Sequence, residues 1–177
     1  MKDRKKLNIE LGRITPEEYR AHSGDGLALV LDNIRSAHNV GSAFRTADAF
    51  GVGKVWLCGI CAVPPSAEIH KSALGAEDSV PFEHVQDTLE AVRRLHDDGF
   101  TIISIEQTVH AVSLPDFRPE VGGKYALIFG NEVDGVRQDV VDASDFAIEI
   151  PQEGTKHSLN VSVSVGVILS YFRFARQ

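Results

Sequence analysis

The sequence predicts an α/β fold, a mostly parallel sheet with helices on both faces. Three observations predict it. Short apolar runs alternate with stretches of helical period along most of the chain. The strand candidates are rich in Val, Ile and Leu and nearly unbroken, as strands covered on both sides are. With 177 residues, 43% of them hydrophobic, there is apolar surface enough for one real core. No internal repeat, low-complexity tract or linker interrupts the chain, so the expectation is one domain over 1–177, with 1–26 as a short N-terminal extension.

Leu27–Leu31 ("LALVL") reads as the first strand. Then comes "NVGSAFRTADAFGV", Asn39 to Val52, a helix whose apolar stripe is Val40, Phe44, Ala47 and Phe50. It opens with Asn39, Gly41 and Arg45, residues for which a helix built only to pack has no use. Lys54–Ile60 is the next strand, and Glu68–Gly75 reads as a helix stopped by Gly75. Asp87–Gly99 is an amphipathic helix with Leu89, Val92 and Leu95 inward and Gly99 as its stop. Phe100–Ile105, Tyr125–Gly130 and Phe146–Ile150 are further strands.

The last segment carries two periods. Leu159–Leu169 alternates apolar and small polar residues, as a strand does. At helical spacing Val161, Val165, Ile168, Leu169 and Phe172 form one stripe, and Ser162, Gly166 and Ser170 form another of small residues only. Extended to Phe174 the segment is long for a strand. The sequence favours a helix whose small stripe admits another helix, although β-branched residues pull the other way.

A net charge of -7 argues against wholesale coating of nucleic acid. The charges are unevenly spread. Seven acids and a single base, Arg137, lie between Glu132 and Glu153, whereas Gly154–Gln177 has no acid and carries Lys156, Arg173 and Arg176. The opening adds Lys2, Arg4, Lys5 and Lys6. This fits an acidic side and a basic side, and equally a mixed, solvated surface. Met1–Lys6 is not followed by an apolar signal region, and no apolar run approaches a membrane span, so a soluble, cytoplasmic domain is the expectation.

Ligands of open parallel sheets bind beyond the carboxyl ends of strands. Three such ends carry polar, glycine-containing segments: "DNIRSAHNVGSAFR" after Leu31, "GNEVDG" (Gly130–Gly135), and "PQEGTKHSLN" (Pro151–Asn160). Each residue alone has an ordinary structural use. Asn and Ser cap helices, Gly turns corners, and Arg45 can pair with Asp48. The coincidence of three such loops is what points to a site.

At these residues the chain resembles the SpoU (TrmH-like) branch of the SPOUT RNA methyltransferases. The first motif matches as Asn39-x-Gly41-x-x-x-Arg45-Thr46-Ala47 and the second as Phe129-Gly130-Asn131-Glu132-x-x-Gly135. The third matches as Ile150-Pro151 followed by Ser158-Leu159-Asn160-Val161-Ser162-Val163. Lys71–Pro81 resembles the family's linking segment, and Gln152 stands where many members have Met. The resemblance implies transfer of a methyl group from S-adenosylmethionine to a ribose 2′-hydroxyl of RNA, without metal. It implies a C-terminal deep trefoil knot and a homodimer with the first- and third-motif helices at or near the interface. It implies a cofactor held largely through backbone groups at Ile105, Glu106, Gly130, Ile150, Ser158 and Leu159.

The resemblance also assigns catalytic roles. The nucleophile is a weak one that must be oriented and relieved of its proton. Arg45 matches the family's catalytic arginine, and a guanidinium makes a poor general base. A phosphate clamp that orients the ribose is the preferred role, with direct proton removal left open. Asn39 holds the site in shape, and Gly41 lets backbone or RNA come close. Glu132 orients partners rather than binding metal, and Ser158 and Asn160 close the pocket.

Other features point less sharply. "CGIC" (Cys58–Cys61) is a lone CxxC without the further ligands a zinc site needs, and the seven histidines show no ligand spacing. A non-catalytic RNA-binding or ribosome-assembly module of the same fold would be expected to lack Arg45 or Glu132, and both are present. A nucleotide-binding metabolic enzyme calls for a phosphate loop such as GxGxxG, which the first-strand loop does not provide. Between RNAs, the few residues before Leu27 lean the expectation toward tRNA over rRNA.

Overall fold

The computed structural model describes residues 3–22 and 26–176. Lys2, part of the basic opening, lies outside the described residues, as does the His22 side chain. Seven strands form one sheet: β1 (Leu27–Asp32), β2 (Lys54–Cys58), β3 (Phe82–Val85), β4 (Thr101–Ile105), β5 (Val112–Ser113), β6 (Tyr125–Gly130) and β7 (Phe146–Glu149). The order is β3-β2-β1-β6-β4-β7-β5, and every pair is parallel. The helices are α1 (Pro16–His22), α2 (Ala37–Ala49), α3 (Ala67–Ala73), α4 (Ala76–Ser79), α5 (Thr88–Asp97), α6 (Gln138–Asp142) and α7 (Val161–Ala175).

The expected two-sided cover is present. All six residues of β1 are buried, because its odd and even side chains enter different cores. Leu27, Leu29 and Leu31 meet Val40, Phe44 and Ala47 of α2 and Val165, Ile168, Leu169 and Phe172 of α7. Ala28 and Val30 meet Trp56, Ile102 and Ile128 with Ala91, Val92 and Leu95 of α5 and Val140 of α6. The ambiguous last segment is therefore helical. Val165, Ile168, Leu169 and Phe172 are buried along one face of it, so burial outweighs β-branched propensity.

Each long helix starts where a side chain accepts an end N–H. Ser36 Oγ accepts from Asn39 N at 3.2 Å, Asp87 caps α5, and Asn160 Oδ1 accepts from Ser162 N at 2.8 Å. The expected stop at Gly75 is displaced. α3 ends at Ala73, Leu74 takes a left-handed φ of 54°, and Gly75, at φ 90°, opens α4. The sequence pattern does not mark the strands β3 and β5 or the helices α1, α4 and α6, of which β5, α4 and α6 are too short to show a period.

β7 inserts between β4 and β5, both of which precede it in the chain. The segment between β5 and β6 lies over α7, where Phe117 stacks on Phe172 at 5.5 Å between ring centres. Tyr171 Oη donates to the Phe117 carbonyl, and Arg118 donates to Tyr171 Oη at 3.0 Å.

Candidate functional site

The carboxyl ends of β4, β6 and β7 open on a cavity of 590 Å³, within the range of small-molecule sites. Ile105, Glu106, Gly130, Ile150, Ser158 and Leu159, the residues expected at a cofactor, all line it. So do Glu132 and Asn160. Asn39 and Arg45 do not.

The floor at Gly130 requires a glycine. A Cβ there would collide with the backbone of Gly135 and Val136, because the 131–135 loop folds back on the strand end. Asn131 and Gly135 exchange two backbone hydrogen bonds of 3.1 Å, and Asn131 Oδ1 accepts from Val133 N and Asp134 N at 2.9 Å. Glu106 Oε2 accepts from Val136 N at 3.0 Å, beneath Gly135, whose φ is 71°. Thus the Glu106 side chain serves the second-motif loop.

Glu132 reaches back to the start of α2. Its carboxylate accepts from Asn39 Nδ2 at 2.7 Å, Arg35 N at 3.1 Å and Ser36 N at 3.3 Å. Burial raises the acid's pKa, but the Asn39 amide and the two backbone donors outweigh it and hold the carboxyl below its ordinary range. The carboxylate also sits at the positive end of a helix. Asn39 is buried and its Nδ2 is engaged in this tie, which joins the first and second motifs.

Gly41 faces α3. A Cβ would stand well inside contact distance of Ser72 Oγ and the Ile69 carbonyl oxygen, and 3.1 Å from Ala73 N. The close neighbour is therefore helix backbone at a buried position, which resolves the alternatives of backbone or RNA.

Arg45 is exposed and, among the described residues, has no hydrogen bond or ion pair, with Asp48 or otherwise. It lines a second hollow of 610 Å³ between α2 and α7, with Ser162, Gly166 and Ser170 on the opposite wall. Six positions along a helix of about 3.6 residues per turn put Asn39 and Arg45 roughly 120° apart, so they serve different sides of α2. Cavity and hollow adjoin at the first turn of α7: Asn160, Val161 and Ser164 line the former, Ser162 and Val163 the latter. Asn160 Oδ1 is spent on the α7 cap, accepting from Ser162 N and Ser162 Oγ.

The cavity lining holds Glu106, Glu132, Asp134 and Glu149 but no Lys or Arg. Such a wall suits a neutral or cationic ligand and disfavours a polyphosphate. Among the described residues no group of three or more His, Cys, Asp or Glu side chains is placed to hold a metal, and no helix is long and apolar enough to cross a membrane. Cys58 and Cys61 are buried, and burial pushes their thiols up to about 12 and about 11. Cys61 Sγ accepts from Ile34 N and donates to the Leu31 carbonyl. It thus props the loop before α2.

Sequence reasoning missed Asp32. Fully buried at the end of β1, it accepts from Thr88 Oγ1 at 2.5 Å, Asn33 Nδ2 at 2.8 Å and Arg137 N at 3.0 Å. It joins the first strand end to α5 and to the exit of the second-motif loop. The signal was a carboxylate closing an unbroken apolar run, which water alone does not explain.

Fold and site together define a class: a parallel α/β domain whose ligand cavity is built by three loops at the carboxyl edge of the sheet, beside the first turn of its last helix. Comparison with known proteins narrows it. The SpoU rRNA Methylase family matches residues 26–170. The 23S rRNA (guanosine-2'-O-)-methyltransferase RlmB of Nitrosomonas europaea is 40% identical over 147 residues, 81% of this chain and 54% of that protein. The A. aeolicus TrmH/SpoU tRNA modifying enzyme superposes with a TM-score of 0.78 at 27% identity, covering 91% of this chain and 82% of that one. An AdoMet-bound rRNA methyltransferase from Sinorhizobium meliloti gives 0.79 at 26%, covering 92% and 61%. The chain spans 54%, 59% and 63% of the length of three curated relatives it matches. It belongs to the SpoU rRNA methylase family.

Proposed function

We propose that this chain transfers a methyl group from S-adenosylmethionine to a ribose 2′-hydroxyl of RNA. The observation that carries the proposal is the convergence of the second- and third-motif loops on one cavity, tied through Glu132 to the first motif. The cavity fits this cofactor: it has room for a nucleoside with an amino-acid tail, and its acidic wall favours a ligand with sulfonium and ammonium charges. When bound, the cofactor supplies an electrophilic methyl group. The chain supplies position. Ile105, Gly130, Ile150 and Leu159 would hold the cofactor, and the Glu132–Asn39 tie keeps α2 aligned with it. Arg45, unpaired among the described residues and exposed beside that site, would clamp an RNA phosphate and orient the ribose.

We favour rRNA. The lean toward tRNA rested on the few residues before the first strand, whereas the curated relatives of 40% and 37% identity are named for 23S rRNA. A homodimer through the α2–α7 hollow belongs to the same reading. Its support is the small-residue wall and the exposure of Val163, Val167 and Phe174 around it. A second copy there would bring groups to Arg45 at the margin of the cavity. The C-terminal knot is part of the proposal too, supported by the insertion of β7 between β4 and β5.

The test is methylation of unmodified 23S rRNA and bulk tRNA with labelled S-adenosylmethionine, followed by mass spectrometry of nucleosides. A 2′-O-methylnucleoside in rRNA is expected. Methyl transfer to a base, or none to either RNA with cofactor bound, would overturn the reading. Transfer to tRNA alone would overturn the choice of rRNA.

A further inference from the structure

The third-motif segment, 151–160, is exposed at every position, yet it supplies Gln152, His157, Ser158, Leu159 and Asn160 to the cavity wall.

 Among the described residues, one hydrogen bond ties 151–159 to another part of the chain: Gln107 Nε2 donates to the His157 carbonyl at 2.7 Å. Gln107 is itself held. Its backbone N–H donates to Glu106 Oε1 at 2.8 Å, while Glu106 Oε2 accepts from Val136 N at 3.0 Å. Glu106 and Gln107 therefore reach from the end of β4 to both other cavity loops. Gln107 and His157 both line the cavity, so the bond crosses its wall.

We propose that Gln107 is a positioning residue whose side-chain amide latches the 151–160 segment onto the cavity and so sets cofactor affinity. The proposal rests on the S-adenosylmethionine reading above, but the latch itself is testable without ligand. A segment exposed throughout has little packing to hold it, so the one side-chain bond to its backbone carries weight out of proportion. Closing the segment before the cofactor arrives removes part of the ordering cost of binding. Gln107→Glu keeps the size of the side chain and replaces the donor with an acceptor that faces a carbonyl oxygen. Gln107→Lys changes the shape but restores a donor.

Two measurements decide it. In the ligand-free protein, trypsin cleavage after Lys156, read from fragment masses, reports the freedom of the segment. Cleavage is expected to speed up about five-fold in Gln107→Glu, the equilibrium factor of one neutral hydrogen bond. Calorimetry with S-adenosylmethionine should show Kd raised by a similar factor in Gln107→Glu and largely recovered in Gln107→Lys, with unfolding midpoints within about 4 °C of the wild type. Cleavage after Lys156 at the wild-type rate in Gln107→Glu would overturn the latch. So would a Lys variant that binds no better than the Glu variant. A wild-type protein that fails to bind S-adenosylmethionine would overturn the cofactor reading, and the cleavage rates would still judge the latch.

Discussion

Replacing Gly41 with alanine isolates the contact that brings α2 against α3. In an exposed helix the change would stabilise, because alanine is the better helix former by about 1 kcal/mol. Here the new Cβ points at Ser72 Oγ, the Ile69 carbonyl oxygen and Ala73 N, all of them atoms of α3. Ser72 can turn away only by giving up its 2.9 Å bond to the His38 carbonyl, a loss of about 1 kcal/mol. The Ile69 carbonyl is backbone and cannot turn, so the helices must separate, and overpacking of this kind costs about 1–3 kcal/mol. The balance is a destabilisation of about 1–3 kcal/mol. For a chain of this size that lowers Tm by roughly 2–12 °C. Urea unfolding at fixed protein concentration is the assay. Truncating Ser72 as well should recover only the part due to its hydroxyl, since the carbonyl remains. A Gly41→Ala protein as stable as the wild type, or more so, would refute the backbone contact.

Three further outcomes follow from the site. Glu132 has its pKa depressed by its donors, so its contribution to stability is present above the unfolded-state pKa and is lost as pH falls through the folded one. The gap in urea midpoint between wild type and Glu132→Gln should therefore be full above about pH 5 and shrink below about pH 4; a gap independent of pH would contradict the tie. Arg45→Ala should abolish methyl transfer while cofactor Kd stays near the wild-type value, and Arg45→Lys should recover little because it lacks the planar fork. Near-normal single-turnover methylation by Arg45→Ala would leave it an ordinary surface residue. Among the described residues Gly166 has nothing beyond its own helix within 4 Å of a built Cβ, so a bulky side chain there would project into the hollow where a second copy is proposed to dock. Gly166→Leu should release monomers in light scattering, and a monomeric wild type would remove the α2–α7 hollow as an interface.

The sequence by itself determined the class of fold and the loops of the site. The buried strands Leu27–Asp32, Thr101–Ile105 and Tyr125–Gly130 are legible because a strand covered on both faces has no polar alternation to hide it. The helix α5 is legible because one apolar face and one solvated face leave a clear period. The three motifs were readable as residues, and the second and third do line one cavity. What the tertiary structure decided is which atoms those residues spend on each other. Asn39 and Glu132 lie 93 positions apart, and their bond exists only because β1 and β6 are neighbours in the sheet. The same adjacency brings Asp32 to Arg137 N, and the neighbouring ends of β4 and β7 bring Gln107 to His157. Arg45 belongs to the α7 side of α2 rather than to the cavity wall, because helix phase, not sequence proximity to Asn39, sets the direction of a side chain. Short-range pattern encodes period and burial; strand order is long-range, and it is strand order that chooses partners across the site.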